Sequence, residues 1–525
     1  RSAIGIVQRR KNAGTFRLVH VLDQVDDIVQ EVMTSFFRAS EQFEYDPAKG
    51  RFRGYLKTST IRALQSQRHK SRGAVQWEPE RFLEQPEEAE DVWNTEWMEQ
   101  LLESAIRHVM ASTKIADSSW DAFELYGRRI THTNHPDVQQ LLAAAHTDRI
   151  RPLCLCRPDG VAMYVAKIGP EKFVIKRMPD SGLEHTPRCA SYLPPEELSG
   201  LGQVLGSAIT EEADSGLTAI KLGFRMSKAE RAAPAGAGSG GVADSVAADP
   251  NRLTLRAVLH YLWQEADLAT WTPGMDGKRN WRIVSWYLRQ AARGKFTKGK
   301  PLATKLYVPE PFNVEKKTEI AARRLSAWAP LQQHGSGQQF MMLIGEYKAI
   351  VPARFGHKLL VRHLPDAPLM VDDTLLARLN KRFGDELELW QNNDDGHLMV
   401  IATFSVGRAG LATAEEISLV MTDRNWLPYE SLLDKLLLDT ALDARRRFTK
   451  SLRYNLAPDK PMASLVFTDT ETPTAAFLLT SDEDREVAAQ IAADTGTEVW
   501  AWVVTEDMPP LPPVADHRHT APSDQ

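Results

Sequence analysis

The sequence predicts a multidomain fold: an all-α helical module at the amino end, then an α+β body with a cysteine-bearing β-hairpin and basic helices. Three observations lead there. Apolar residues recur at helical spacing in QVDDIVQEVMTSFFRAS, short strand-like runs dominate beyond the cysteines, and a Gly- and Ala-rich stretch, KAERAAPAGAGSGGVADSVAADP, interrupts the chain at 228–250. At 525 residues, with 43% hydrophobic and 25% charged residues, the chain is long enough for several domains with real cores.

The first element is a helix. Val25, Ile28, Val29, Val32, Met33 and Phe36 share one face, and Asp26 and Asp27 fall in the first turn, where the helix dipole favours acids. YDPAKG supplies turn chemistry, and RFRGYLKTSTIRALQSQRHKSR resumes as a second helix ending in Arg68, Lys70 and Arg72. Along this hairpin Lys49, Arg51, Arg53, Lys57 and Arg62 alternate with Phe43, Tyr45, Phe52 and Tyr55. Residues 1–77 form this basic module and 78–129 an acidic helical connector, since 78–103 hold ten acids against the single Arg81. The formal net charge of -5 conceals the contrast. Cations hold phosphates and aromatic faces stack on unpaired bases, which suits single-stranded nucleic acid. The competing reading places Phe52 and Tyr55 in a core and leaves the cations solvated.

The order DDIVQEV, FEYDPAKGRFRGYLKT and a basic helix resembles region 2 of bacterial extracytoplasmic-function sigma factors. WNTEWMEQLLESAIRHVM and SSWDAFELY are similar to the connector of that family, so the resemblance spans about residues 20–127. It implies that Asp26, Asp27, Gln30 and Glu31 face the RNA polymerase core. Phe52, Arg53, Tyr55, Lys57, Arg62 and Arg68 would then face melted promoter DNA. The chain departs from the pattern at Ser59 and Ile61, which exchange an apolar and a basic position, and residues 1–22 lack the preceding helix. Region 4 is missing, because ITHTNHPDVQQLLAAAH stands where it should begin. The chain opens at Arg1 with no initiator Met, which reads as an incomplete amino terminus.

Residues 130–227 form a cysteine-containing, zinc-ribbon-like α+β domain. All three cysteines of the chain, Cys154, Cys156 and Cys189, fall in one short window, with His185 four residues before the last. Between the pairs, VAMYVAKI and KFVIKRM alternate around GPEK, as a hairpin that brings the ends together would. Three thiolates and an imidazole suit a tetrahedral structural zinc site. Two alternatives stay open: three buried thiols without metal, and a catalytic or redox cysteine, for which His185 is the nearby base.

The rest of the chain, about residues 130–510, resembles an uncharacterised family known as domain of unknown function 1173, found in bacteria and often on integrative conjugative elements. The resemblance is carried by CLCRPDGVAMY, KRMPDSGLEHTPRC, SYLPPEELSGLG, LYVPEPF, GEYKAI, HLPDAP, NWLPYE and RRRFTKSLRYNL. It implies no activity.

After the flexible linker at 228–250, residues 251–335 are helical, with LTLRAVLHYLWQEADL and GKRNWRIVSWYLRQAARGKFTKGK as a candidate helix-turn-helix. Lys278, Arg279 and Arg282, followed by Arg289, Arg293, Lys295, Lys298 and Lys300, would contact DNA phosphates, while Trp281, Trp286 and Tyr287 pack as core. Residues 336–507 read as an α/β body with a mixed sheet, a helix near 372–384, a basic segment at 445–453 and a helix at 483–494. Residues 508–525 read as a disordered tail.

The apolar runs are too short to cross a bilayer and the cysteines too few for a disulfide framework, which points to a cytoplasmic protein with no membrane partner. No GxxxxGK[ST], HExxH or GxSxG motif occurs, so no catalytic residue is assigned. A metal-dependent nuclease using Glu346 and Asp469, which end strand-like runs, lacks a third ligand. The reading is a DNA-associated protein whose sigma-like module serves transcription initiation, fused to a mobile-element body. The alternative makes that module a remnant or accidental fusion and the protein a zinc-binding structural or DNA-interaction protein of conjugative elements. The oligomeric state is not legible.

Overall fold

Alternation between inward and outward side chains organises the chain from Phe123, where the end of the expected helical connector pairs as two strands instead. A computed structural model describes residues 122–130, 136–167, 173–178, 181–212, 217–229, 249–332, 337–392, 395–481 and 483–515. The sigma-like module, with Asp26, Asp27, Gln30, Glu31, Phe52, Arg53, Tyr55, Lys57, Arg62 and Arg68, lies outside the described residues, as do most of the connector and linker.

Strands β1 (Phe123–Leu125) and β2 (Arg128–Ile130) meet at Tyr126 and Gly127, whose φ values of 54° and 69° make the left-handed two-residue turn that suits twisted hairpins. Helix α1 (Pro136–Asp148) follows, then β3 (Leu153–Cys154), β4 (Val161–Lys167) and β5 (Phe173–Arg177). The expected hairpin is β4–β5, antiparallel from Met163↔Arg177 to Lys167↔Phe173. The sheet runs β2-β1-β3-β4-β5, and α1 packs on it through Leu142 and Ala145 against Leu125, Ile130, Val165 and Phe173.

Beyond it come β6 (Ile209–Glu212), β7 (Leu217–Ile220), β8 (Ser227–Ala229), α2 (Leu255–Glu265), β9 (Thr270–Trp271), α3 (Trp281–Ala291), β10 (Lys295–Thr297), β11 (Lys300–Pro301), β12 (Leu306–Tyr307), α4 (Lys317–Gln332) and β13 (Gly337–Gln339). Thr254 and Asn280 cap α2 and α3 by accepting the N–H groups of Ala257 and Ile283. These helices do not form a helix-turn-helix. The motif needs a turn of about three to four residues, whereas α2 ends at Glu265 and α3 starts at Trp281, with strand β9 between them.

The centre is a small closed sheet of β14 (Met341–Pro352), β15 (His357–Val361), β16 (Leu369–Val371), β17 (His397–Val406) and β18 (Ala412–Thr422), with α5 (Asp373–Gln391) lying between β16 and β17 in sequence. It closes because β14 pairs with β17 as well as with β15. Leu343, Val400 and Phe404 point into one core, while Met342, Ile344, Met399 and Ile401 point into the next. Strands buried on both faces read as continuous apolar runs, which explains HLMVIATF. β19 (Pro428–Tyr429) pairs with β18, and after α6 (Leu432–Asp443) come β20 (Phe448–Lys450), β21 (Ala463–Phe467), β22 (Thr474–Leu479), α7 (Glu483–Thr495) and β23 (Glu498–Val503), whose strands form a sheet ordered β23-β22-β21-β20-β9.

The expected divisions at 130, 250 and 335 do not hold as folding boundaries. β1 pairs with β3, β7 with β10, β8 with β13 and β9 with β20, so each of these sheets draws on segments from both sides of a boundary. The expected tail also changes. Met508 and Leu511 pack on the large core, Trp500 donates to the Pro510 carbonyl at 2.8 Å, and Arg446 donates to that of Pro512 at 2.6 Å, so the chain is docked through Ala515. Among the described residues no helix is long and apolar enough to cross a membrane.

Candidate metal centre

The first sheet gathers the three cysteines at one end. Cys154 ends β3, paired to Phe123 on one side and Val161 on the other, and Cys156 follows in the turn before β4. After β5 a short 3-10 turn at Gly182–Glu184 delivers His185 in extended conformation. A turn closed by the Cys189 N–H on the Thr186 carbonyl at 2.8 Å then brings in Cys189.

The four ligand atoms lie within 4.8 Å of one another. Cys154 Sγ is 3.7 Å from Cys189 Sγ, and His185 Nδ1 is 3.3 Å from Cys156 Sγ and 3.6 Å from Cys189 Sγ. In a tetrahedron with sulfur about 2.3 Å and nitrogen about 2.0–2.1 Å from zinc, ligand atoms stand about 3.5–3.8 Å apart, close to these three separations. The thiols are free, with no disulfide. His185, Cys154 and Cys189 are buried and Cys156 half-buried.

Main-chain donors reach all three sulfurs, but burial and mutual interaction separate their titrations. The Ser191 N–H donates to Cys189 Sγ at 3.3 Å, and the main chain at Cys156 and Thr186 does the same for Cys154 and Cys156. The Cys189 hydrogen bond draws the Cys154 thiol down to about 4 despite its burial. That bond, with burial, pushes Cys189 up, and burial pushes Cys156 up. Only a cation can hold all three sulfurs ionised together. Nδ1 is the His185 nitrogen that faces the sulfurs, while Nε2 is buried without a hydrogen-bond partner.

The DNA-facing cations divide. Lys278 and Arg282 are exposed, as are Arg293, Lys298 and Lys300. Arg279 is turned inward, where it donates to the carbonyls of Leu268, Thr270, Asn425 and Asp267, so its donors are committed to the main chain. Lys295 is 1% exposed and bonded to Glu265 at 2.6 Å. Arg446 is bonded to Asp469, and Lys450 to Asp434 at 3.2 Å, while Arg453 meets Glu430 at 2.6 Å. The basic segment at 445–453 is therefore largely an internal ion-pair framework and not a phosphate contact.

Asp469 is the carboxylate of that framework, and Glu346 sits within β14, 3.0 Å from Arg362 and 2.8 Å from His397 Nδ1. Neither belongs to a group of three metal-capable side chains among the described residues, where the Cys3His cluster is the one found. Sequence reading missed the Glu346–His397 pair, which a separation of 51 positions hides. His397 also stacks on Trp426 at 3.8 Å.

No curated protein and no solved structure matches the chain. A family model described as Protein of unknown function (DUF1173) matches residues 123–505, which takes in the Cys3His cluster and the closed sheet, and the chain belongs to that family.

Proposed function

We propose that this is a DNA-associated protein whose body is stabilised by a structural zinc ion. The observation that carries the reading is the convergence of Cys154, Cys156, His185 and Cys189 at tetrahedral spacing. Soft thiolates favour zinc over magnesium or calcium, and four protein ligands close the shell. A closed shell has no position for a reactive water, so the metal fastens the fold and performs no hydrolysis.

DNA contact is supported by exposed Lys278, Arg282, Lys298 and Lys300, which lie around α3 and the β10–β11 turn. Phosphate contacts release counterions, so log affinity for duplex DNA should fall linearly with log salt, by about 0.9 per contact. Reversing Lys278 and Arg282 to Glu should flatten that slope by about two such contacts. An affinity insensitive to salt would remove the reading.

For the amino-terminal module the alternation of cations and aromatics supports a role on polymerase and melted promoter DNA. Replacing Phe52 and Tyr55 with Ala should weaken single-stranded binding by about 1–3 kcal/mol per lost stack and leave duplex binding little changed. Equal losses on both, or binding absent from the start, would favour a remnant module.

A further inference from the structure

The β14–β15 hairpin ends in a cation and an aromatic turned to solvent. The Ala353 N–H donates to the Gly356 carbonyl at 3.0 Å, so Arg354 and Phe355 form the tip. Gly356 has a φ of 64°, and a Cβ there would meet the Val371 carbonyl oxygen at 2.7 Å, so the closure of the tip requires glycine. Phe355 is held outward and is 77% exposed. The Arg354 guanidinium lies over its ring, 5.4 Å from the centroid, and leaves the other ring face open.

One exposed aromatic is ordinary on a protein surface. What distinguishes this one is the strip behind it. Leu359, Val361, Leu369 and Val371 turn into the large core, so by strand alternation Lys358, Leu360 and Met370 turn the other way. Val351 stands opposite Lys358, Ala349 opposite Leu360 and Met370 opposite Lys358, and all five are half-buried. A bulge between Tyr347 and Ala349 sets Lys348 out of the ladder, where it is exposed. Arg362 follows β15 and is exposed as well. From Phe355 to Arg362 the strip runs about 23 Å, at about 3.3 Å per residue.

The acids beside this strip are engaged elsewhere. Glu346 meets Arg362 and His397, Asp372 accepts the Leu375 N–H as the cap of α5, and Asp373 stands 3.2 Å from His357. Lys348, Arg354 and Lys358 form no ion pair among the described residues. Three unpaired cations along an apolar floor, ending at an open ring face, complement a chain of phosphates that also carries free base faces.

We propose that this strip binds single-stranded nucleic acid, with Lys348 and Lys358 on its phosphates and a base stacked on Phe355. A duplex keeps its base faces inside the stack, whereas an unpaired base can lie on an aromatic ring. The site goes beyond the duplex contact read at Lys278 and Arg282 and does not rest on it.

The test is fluorescence anisotropy of a labelled twelve-residue oligothymidylate, an oligouridylate of the same length and a duplex of the same length. The protein is the full chain carrying Phe52→Ala and Tyr55→Ala, which removes the other candidate stack. In that background single strands should still bind. Adding Phe355→Ala should weaken them by about fivefold or more and leave the duplex unchanged, while Phe355→Trp should keep them bound. Lys348→Glu with Lys358→Glu should lower the slope of log affinity against log salt by about 1.4, for two contacts at about 0.7 each. Phe355 and Lys348 are exposed and Lys358 half-buried, so an unchanged melting midpoint checks that the variants fold. The tighter of the two single strands assigns the site to DNA or to RNA. Absence of single-strand binding in that background, or an equal loss on single strand and duplex with Phe355→Ala, would overturn the proposal. So would phosphatidylglycerol vesicles bound in place of the oligonucleotides, with that binding lost in Phe355→Ala.

Discussion

Asp423 shows how one residue can work against the fold it organises. Its Oδ1 accepts from the N–H groups of Asn425 and Leu427 at 2.9 Å and 2.8 Å, shaping the turn in which Trp426 takes a φ of 64°. Its Oδ2 is buried with no partner. Burial raises the carboxyl to about 6, although the two N–H bonds and Arg279 pull it down. A raised carboxyl contributes stability that is fully present below its unfolded value of about 3.9 and is lost as pH rises through about 6. Asp423→Asn keeps an acceptor for the turn and removes the charge. It should therefore raise stability at pH 7 by about 1–3 kcal/mol and flatten the loss between about pH 4 and 6, as read from unfolding midpoints at both ends. A variant equally destabilised at both pH values would show that the charge is not the cost. Among single residues, the cysteines and His185 were legible because their chemistry is confined to one window. Arg279, Lys295 and Glu346 were not, because a cation or acid looks the same in sequence whether solvated or buried. What decides it is a partner far along the chain.

At the scale of elements, the β4–β5 hairpin was legible because two short strand-like runs flank a turn signal within a few residues. The closure of the central sheet was not. It depends on β14 meeting β17 in the register Met341↔Phe404, which no periodicity specifies. The helix-turn-helix expectation failed for a related reason, since the segment between α2 and α3 forms β9 and pairs with the distant β20, which sequence spacing does not show. The candidate metal centre is assembled from two turns, one on each side of the hairpin. Cys156→Ser should therefore remove most bound metal and expose residues 150–192 to protease. His185→Ala should retain a fraction of it, because water can serve as fourth ligand where a thiolate cannot be replaced. Metal content and limited proteolysis of the two variants read this directly. Equal retention by both would mean that these side chains do not hold the ion.

For the whole molecule, the lesson is that sheets cross the boundaries composition suggests. The Gly-rich stretch at 228–250 reads as a divider, yet β7 before it pairs with β10 after it, and β8, which runs into its first two residues, pairs with β13. Low-complexity composition marks where a chain is tolerant, and strand pairing decides what folds together. The cysteine-bearing part is tied into this assembly. Lys176 stands 4.0 Å from Glu265, and Leu198 packs among β21, β22 and α7. At Gly200 an added Cβ would meet the Arg453 carbonyl oxygen, so the two chain segments are in backbone contact there. The central claim is that a metal completes this part of the fold, and elemental analysis of protein purified without added metal tests it most directly. The account predicts about one zinc per chain, with chelation unfolding the region around the cysteines. Negligible metal, with all three thiols reacting freely with a labelling reagent in the folded protein, would contradict it.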